Sequence, residues 1–168
     1  GLCLYDGAWH QGVVGILASR IKDQYHRPVI VFADGGEGQL KGSARSISGL
    51  HMRDLLDRIA TRHPGMVQRF GGHAMAAGLS LELERLAAFT QAFDEEVKGL
   101  LDPSALCGEI LSDGELLASE LNLDLAFILR NAGPWGQAFQ EPLFDGEFSV
   151  LSQRIVGGKH LKMHLAPT

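Results

Sequence analysis

The residues best suited to chemistry cluster in Phe70-Gly71-Gly72-His73-Ala74-Met75-Ala76-Ala77-Gly78. Gly and Ala make up most of this stretch, so little bulk stands between the backbone and anything approaching it. Consecutive glycines tolerate positive φ and can turn their N–H groups toward one anion. His73 follows at once, a side chain that donates to a phosphate or moves a proton near neutral pH. The same residues also suit a tight turn into a buried strand of small residues, with the histidine satisfied locally. On composition alone both readings stand.

A second stretch, Lys41-Gly42-Ser43-Ala44-Arg45-Ser46-Ile47, is too small and polar for an ordinary core strand. Strand alternation puts Lys41, Ser43 and Arg45 on one face, with Gly42, Ala44 and Ser46 on the other. This pattern suits a solvated edge strand. It equally suits a phosphate cradle, in which Arg45 forks onto oxygens, Ser43 donates and Gly42 lets the backbone come close. Further on, Phe148–Val156 and His160–Leu165 flank Gly157-Gly158, a two-residue hairpin signal. Leu161, Met163 and Leu165 alternate with His160, Lys162 and His164, so one face packs and the other is basic. Arg154, Lys159 and Lys162 are the hairpin's candidates for contact with a nucleic-acid backbone.

Metal chemistry is poorly supplied. The chain has no Asp-x-Asp, Cys-x-x-Cys or His-Glu-x-x-His pattern. His10 and His73 do not make a set on their own, because such sites take three or four ligands. No residue of this chain is assigned as a metal ligand.

The elements that must position these groups read as an α/β arrangement. Leu2-Cys3-Leu4 is a short strand, Asp6-Gly7 a turn, and residues 12–25 a helix with Val14, Leu17, Ile21 and Tyr25 as its apolar stripe. Pro28 stops that helix, and Val29–Ala33 is an apolar run typical of a buried strand. A strand–helix–strand unit predicts a parallel pair. Asp34–Gly38 is a loop. Met52, Leu55, Leu56 and Ile59 define a second helix that His63-Pro64-Gly65 ends. Gly78-Leu79-Ser80-Leu81 reads as a strand. Leu86, Phe89, Phe93 and Val97 line a third helix, with Asp94, Glu95 and Glu96 toward water. A boundary falls near Pro103. Glu109–Ser112 reads as a strand and residues 115–132 as a helix broken near Asn122, ended by Gly133-Pro134-Trp135-Gly136.

Composition is consistent with a soluble, reduced protein. At 168 residues with 45% hydrophobic content, one domain and part of another can be packed. No apolar run reaches the length of a membrane span and no signal peptide is visible, so the expected location is cytoplasmic. Two cysteines, Cys3 and Cys107, fit a reduced compartment better than a disulfide framework. The chain starts at Gly1 without Met, which reads as a piece excised from a longer protein. The net charge of −5 is unevenly spread. Residues 1–80 carry nine Lys/Arg against six Asp/Glu, residues 81–146 three against thirteen, and residues 147–168 three against one. Local charge governs contact with phosphates, so a nucleic-acid partner is permitted.

Taken together, Gly71-Gly72-His73 with Ala76-Ala77-Gly78 resembles the signature of the DHH-associated domain, the second domain of DHH-family phosphoesterases. Trp9–Ile16, Lys41–Ile47 and Phe70–Leu81 occur in the order and spacing of one branch of that family, the bacterial single-strand-specific 5′→3′ DNA exonucleases. The resemblance covers nearly the whole chain. It implies a mixed sheet with flanking helices over residues 1–103, then linker helices and a truncated OB-fold β-barrel segment over 104–168, into which Glu141-Pro142-Leu143-Phe144 leads. Gln137-Ala138-Phe139-Gln140 departs from the family's usual wording, and no contact is assigned there.

By the same resemblance, two divalent ions, Mn²⁺ or Mg²⁺, would belong to an N-terminal Asp-His-His domain absent from this chain, and none would be bound here. The expected partners are single-stranded DNA and that domain, with no membrane. Ser43, Arg45, Ser46, Gly71, Gly72, His73 and His10 would line the substrate side, Ser43 and Arg45 holding a terminal 5′ phosphate and His73 serving as the one auxiliary candidate for catalysis. The alternatives are a DHH hydrolase of short oligonucleotides or cyclic dinucleotides, and a non-hydrolytic nucleic-acid-binding module. Residues 133–165 argue against the first. Lys41–Ile47 together with the OB-like tail argues against the second.

Overall fold

The apolar run Val29–Ala33 becomes the buried part of strand β2 (Val29–Gly36), with all five residues fully buried. The computed structural model describes residues 1–136 and 139–168; the expectation for Gln137 and Ala138 lies outside the described residues. The chain forms two compact units, residues 1–108 and 109–168.

In the first unit β1 (Leu2–Tyr5) lies parallel to β2, joined through helix α1 (Val14–Tyr25), as a strand–helix–strand unit should. Val14 and Ala18 are buried against β2, and Leu17 and Ile21 pack on the same cluster. Tyr25, counted in the apolar stripe, is instead exposed. It occupies the last turn, where His26 at φ 46 already turns the chain away toward Pro28. The loop expected at Asp34–Gly38 is mostly hairpin. β2 runs on to Gly36, and Glu37 and Gly38 turn at positive φ into β3 (Gln39–Arg45).

Helix α2 (Met52–Arg62) buries Met52, Leu55, Leu56 and Ile59, the four residues its spacing picks out. Strands β4 (Arg69–Gly72) and β5 (Ala76–Glu82) form an antiparallel pair, and α3 (Leu86–Leu100) buries Phe89, Phe93 and Val97. The sheet order is β1-β2-β3-β5-β4, with only β1 and β2 parallel. β3 is therefore the central strand. The solvated-edge reading of Lys41–Ile47 fails, because β3 has a ladder on both sides.

One face of the sheet carries Ile30, Phe32, Leu40, Ala44, Ala77, Leu79 and Leu81 into the main core, shared with α2 and α3. Phe32 meets Phe89 edge-on at 5.8 Å between ring centroids. Each such fully buried side chain contributes roughly 1.5–3 kcal/mol. Gly42 belongs to this face: a Cβ there would fall 2.6 Å from the Phe32 ring and 2.7 Å from Leu79. Its bareness therefore serves core packing, not the backbone approach of a ligand. Glu96, expected to face water, is buried as well. Its carboxylate accepts from Arg58 Nε at 3.1 Å and from Arg62 Nη1, which ties α3 to α2. Two guanidinium groups compensate the buried charge.

Cys3 packs on the core, and burial pushes its thiol up to about 12, while Cys107 is exposed and both are free. A thiol reagent at pH 8 is expected to modify Cys107 first and Cys3 at least about a hundredfold more slowly, since the thiolate is the reactive form. Adding denaturant should equalise the rates. Equal rates in the native protein would mean that β1 is not held in the sheet.

The second unit departs further from expectation. Residues 109–112 join no β-ladder; the neighbouring Asp113 instead binds Leu143 through its N–H at 2.7 Å and its carboxylate at 3.0 Å. Helix α4 (Leu123–Ala132) begins only at Asn122, whose Oδ1 accepts from the Leu125 N–H at 2.9 Å. That side chain caps a new helix rather than interrupting one, and residues 118–120 form a turn. Gly133 ends the helix as the sequence predicts. β6 (Phe148–Val156) and β7 (His160–Pro167) pair antiparallel. Val156 pairs with His160, so the loop is Gly157-Gly158-Lys159, three residues rather than two, with both glycines at positive φ. The two strands do not close into a barrel, and Leu161, Met163 and Leu165 remain exposed.

Candidate functional site

Across β3, β5 and β4 the register arranges residues in rows. Arg45 pairs with Ala76; Ser43 pairs with Gly78, which pairs with Gly71; Lys41 pairs with Ser80, which pairs with Arg69. Directly paired residues share a face of the sheet. On their other side Arg45, Ser43 and Lys41 pair with Val29, Val31 and Ala33, which α1 covers. The rows therefore continue the α1 face beyond the helix, and there Lys41, Arg69, Gly71 and Gly78 are exposed.

Arg45 is held in place by three hydrogen bonds. Its Nε donates to Ser19 Oγ on α1 at 3.1 Å, and Nη1 donates to Ser43 Oγ at 3.0 Å and to the Ala44 carbonyl at 2.8 Å. Nη2 has no partner among the described residues. A Cβ at Gly15 would stand 3.1 Å from Nη2, so that glycine leaves the guanidinium its place. Ser43 accepts from Arg45 and keeps its own O–H to donate.

The other expected site residues separate. Ser46 is buried, donates its hydroxyl to the Leu50 carbonyl at 2.7 Å and its N–H to Met75 O. It closes the chain reversal after β3 and leaves the ligand set. Gly72 sits at φ 144, where a Cβ would lie 2.4 Å from Ala76 O and 2.5 Å from Ala77 Cα. Its requirement is the closeness of β4 to β5. Gly71, by contrast, would place a Cβ in open space. His73 is exposed, and its N–H donates to Ala76 O at 2.8 Å. Ala76 thus lies between His73 and Arg45, whose backbones are about two strand spacings apart, ~10 Å. No hydrogen bond joins their side chains among the described residues.

His10 is placed elsewhere. It lines a pocket of about 630 Å³ with Trp9, Gln11 and Asp34–Gly36, and its Nδ1 accepts from Gly12 N–H at 3.0 Å. Arg45 stands opposite Val29, at the other end of β2 from that pocket, ~16 Å along the strand. Trp9 packs on the α1 cluster. In the hairpin Arg154 and Lys162 pair directly, and Lys159 is in the loop. Ser19, Gly15, Ser80 and Arg69 are positions the sequence pattern did not single out. The first two sit one helical turn apart on α1, a signal that could have been read; the last two acquire meaning only through cross-strand register.

Among the described residues no group of three or more His, Cys, Asp or Glu side chains is placed to hold a metal ion, so the described residues by themselves do not fit a two-metal centre. No helix among them is long and apolar enough to cross a membrane.

The architecture is that of a DHHA1 domain, whose family model matches residues 1–99, and the chain belongs to this family. A model of the RecJ OB domain matches residues 112–168. The chain is similar to the single-stranded-DNA-specific exonuclease RecJ of Escherichia coli strain K12, 60% identical over 99% of this chain and 29% of that protein. RecJ of Haemophilus influenzae is 57% identical over the same share of each. The crystal structure of RecJ with Mg²⁺ from Thermus thermophilus superposes with a TM-score of 0.74 at 30% identity, covering 98% of this chain and 25% of that one. The chain thus spans under a third of the length of the relatives it matches.

Proposed function

We propose that this chain is the substrate-gripping part of a 5′→3′ single-stranded-DNA exonuclease of the RecJ type, working in DNA repair and recombination in the cytoplasm. The observation that carries this reading is 60% identity to a single-strand-specific exonuclease across 99% of the chain. The preorganised Arg45 adds a physical reason. Its free Nη2 and the Ser43 hydroxyl offer donors to a phosphate without the cost of ordering a long side chain at binding. His73, at the end of the Arg45 row, would hold a neighbouring phosphate or sugar. Arg154, Lys159 and Lys162 would add contacts to the strand's backbone farther along, each releasing counterions. Divalent Mn²⁺ or Mg²⁺ would activate water in such an enzyme, and a separate DHH domain would hold them.

The 168-residue chain alone is expected not to hydrolyse single-stranded DNA, since it offers no metal-holding cluster among its described residues. Incubation with Mn²⁺ and a 5′-labelled oligonucleotide checks this. Product formation that persists through repurification would overturn the division of labour between grip and chemistry.

A further inference from the structure

On the open half of the sheet two glycines have no packing reason to be glycine. Gly71 and Gly78 are paired across β4 and β5, and both are exposed. A Cβ at Gly71 would meet nothing within 4 Å, and one at Gly78 only Gly42 O at 3.9 Å. Gly42 and Gly72, close by, are sterically obligatory. A bare mid-strand position usually costs stability, so two adjacent ones with free space above them leave a floor that something else can lie on.

The next row supplies the ligand chemistry. Ser80 is only 4% exposed, yet no hydrogen bond among the described residues uses its hydroxyl. It lines two adjoining concavities of about 320 and 390 Å³, and Lys41 and Arg69 line both of them. Lys41 and Arg69 are the two residues that pair with Ser80 on either side. Neither has a carboxylate partner among the described residues. The nearest acid along the strand, Glu82, accepts from Gln68 Nε2 at 3.3 Å. A hydroxyl that opens into these concavities, between two cations without carboxylate partners, is a site for a phosphate-like dianion or monoanion.

We propose that Ser80, Lys41 and Arg69 form a second phosphate subsite, with the Gly71–Gly78 floor carrying the chain of a single strand between it and Arg45. This rests on the phosphodiester reading above. Lys41 is four residues from Arg45 along β3, ~13 Å. At about 3.4 Å per stacked nucleotide, or up to twice that when stretched, the second subsite takes a phosphate two to four nucleotides from the first.

The test is binding of the 168-residue chain to 5′-phosphorylated oligothymidylates, measured by fluorescence anisotropy over a range of salt. The double substitution Lys41→Ala/Arg69→Ala is expected to weaken a twelve-nucleotide ligand about tenfold and to flatten its log–log salt slope by about 1.4, two single-strand contacts. Binding of a dinucleotide should not change. Gly78→Val should leave the melting temperature unchanged or higher while weakening the twelve-nucleotide ligand. If Arg45→Ala weakens binding but the double variant and Gly78→Val do not, the second subsite is wrong and the phosphodiester reading survives. Equal losses for dinucleotide and dodecamer would also overturn it. If the unmodified chain binds neither ligand, both readings fall together.

Discussion

On the exonuclease reading proposed above, Arg45→Ala in the longer protein is expected to lower hydrolysis of single-stranded DNA at least tenfold, a loss above about 1.4 kcal/mol of transition-state stabilisation. The magnitude follows from how the side chain is held. Nε and Nη1 are committed to Ser19, Ser43 and the Ala44 carbonyl, which leaves Nη2 aimed rather than wandering. An alanine removes both the charge and the oriented donors. Lys in its place should rescue little, because a single ammonium cannot keep the three anchoring bonds and still offer a donor. His73→Ala is expected to act in the same direction. Stability should fall by no more than about 2 kcal/mol, since the lost bonds are partly exposed. Activity per folded molecule is the decisive quantity: wild-type specific activity in a less stable Arg45→Ala protein would make the arginine a strut between α1 and β3 and nothing more.

Gly72→Ala should do the reverse, harming the fold first. The backbone at φ 144 is one that a side-chain-bearing residue rarely adopts, and the added Cβ would overlap Ala76 O at 2.4 Å and Ala77 Cα at 2.5 Å. Neither neighbour is the tip of a flexible side chain. β4 must therefore separate from β5 or twist, at a cost of about 3 kcal/mol or more. Against a typical total of about 5–15 kcal/mol this is a large fraction, and for the 108-residue unit a drop in melting temperature of roughly 12–24 °C is expected. Gly71→Ala, one residue earlier, has open space for its Cβ and should change the melting temperature by no more than a degree or two. The contrast makes the pair informative. Similar melting temperatures for both variants would show that the β4–β5 ladder is looser than its register implies.

Much of this architecture can be read from local pattern. Met52, Leu55, Leu56 and Ile59 recur at helical spacing and are the buried face of α2; Val29–Ala33 is a continuous apolar run and a buried strand. The parallel β1–β2 pair follows from the helix between them. These features depend on residues near one another in sequence, where periodicity reports which face is dry. That Ser43 and Arg45 share one face of β3 is legible in the same way, as two polar side chains two residues apart on a strand.

What the tertiary structure alone decided is which segments lie side by side. Strand alternation divides Lys41–Arg45 into two faces but does not say that β5 and then β4 follow β3 in the sheet. That order makes β3 central and places Ser80 between Lys41 and Arg69, while the β2–β3 register sets the His10 pocket at the far end from Arg45. It also separates glycines that look alike in sequence. Gly42 and Gly72 are bare because backbone, ring or methyl atoms of distant residues occupy their Cβ space, while Gly71 and Gly78 face an opening. Ser46 and Glu96 are buried for the same kind of reason, each finding its partners on another segment, Leu50 and Met75 for one and Arg58 and Arg62 for the other. A residue's own type and spacing report its preference for water or core. The space around it is set by chain that arrives from elsewhere, and only the packed structure contains that.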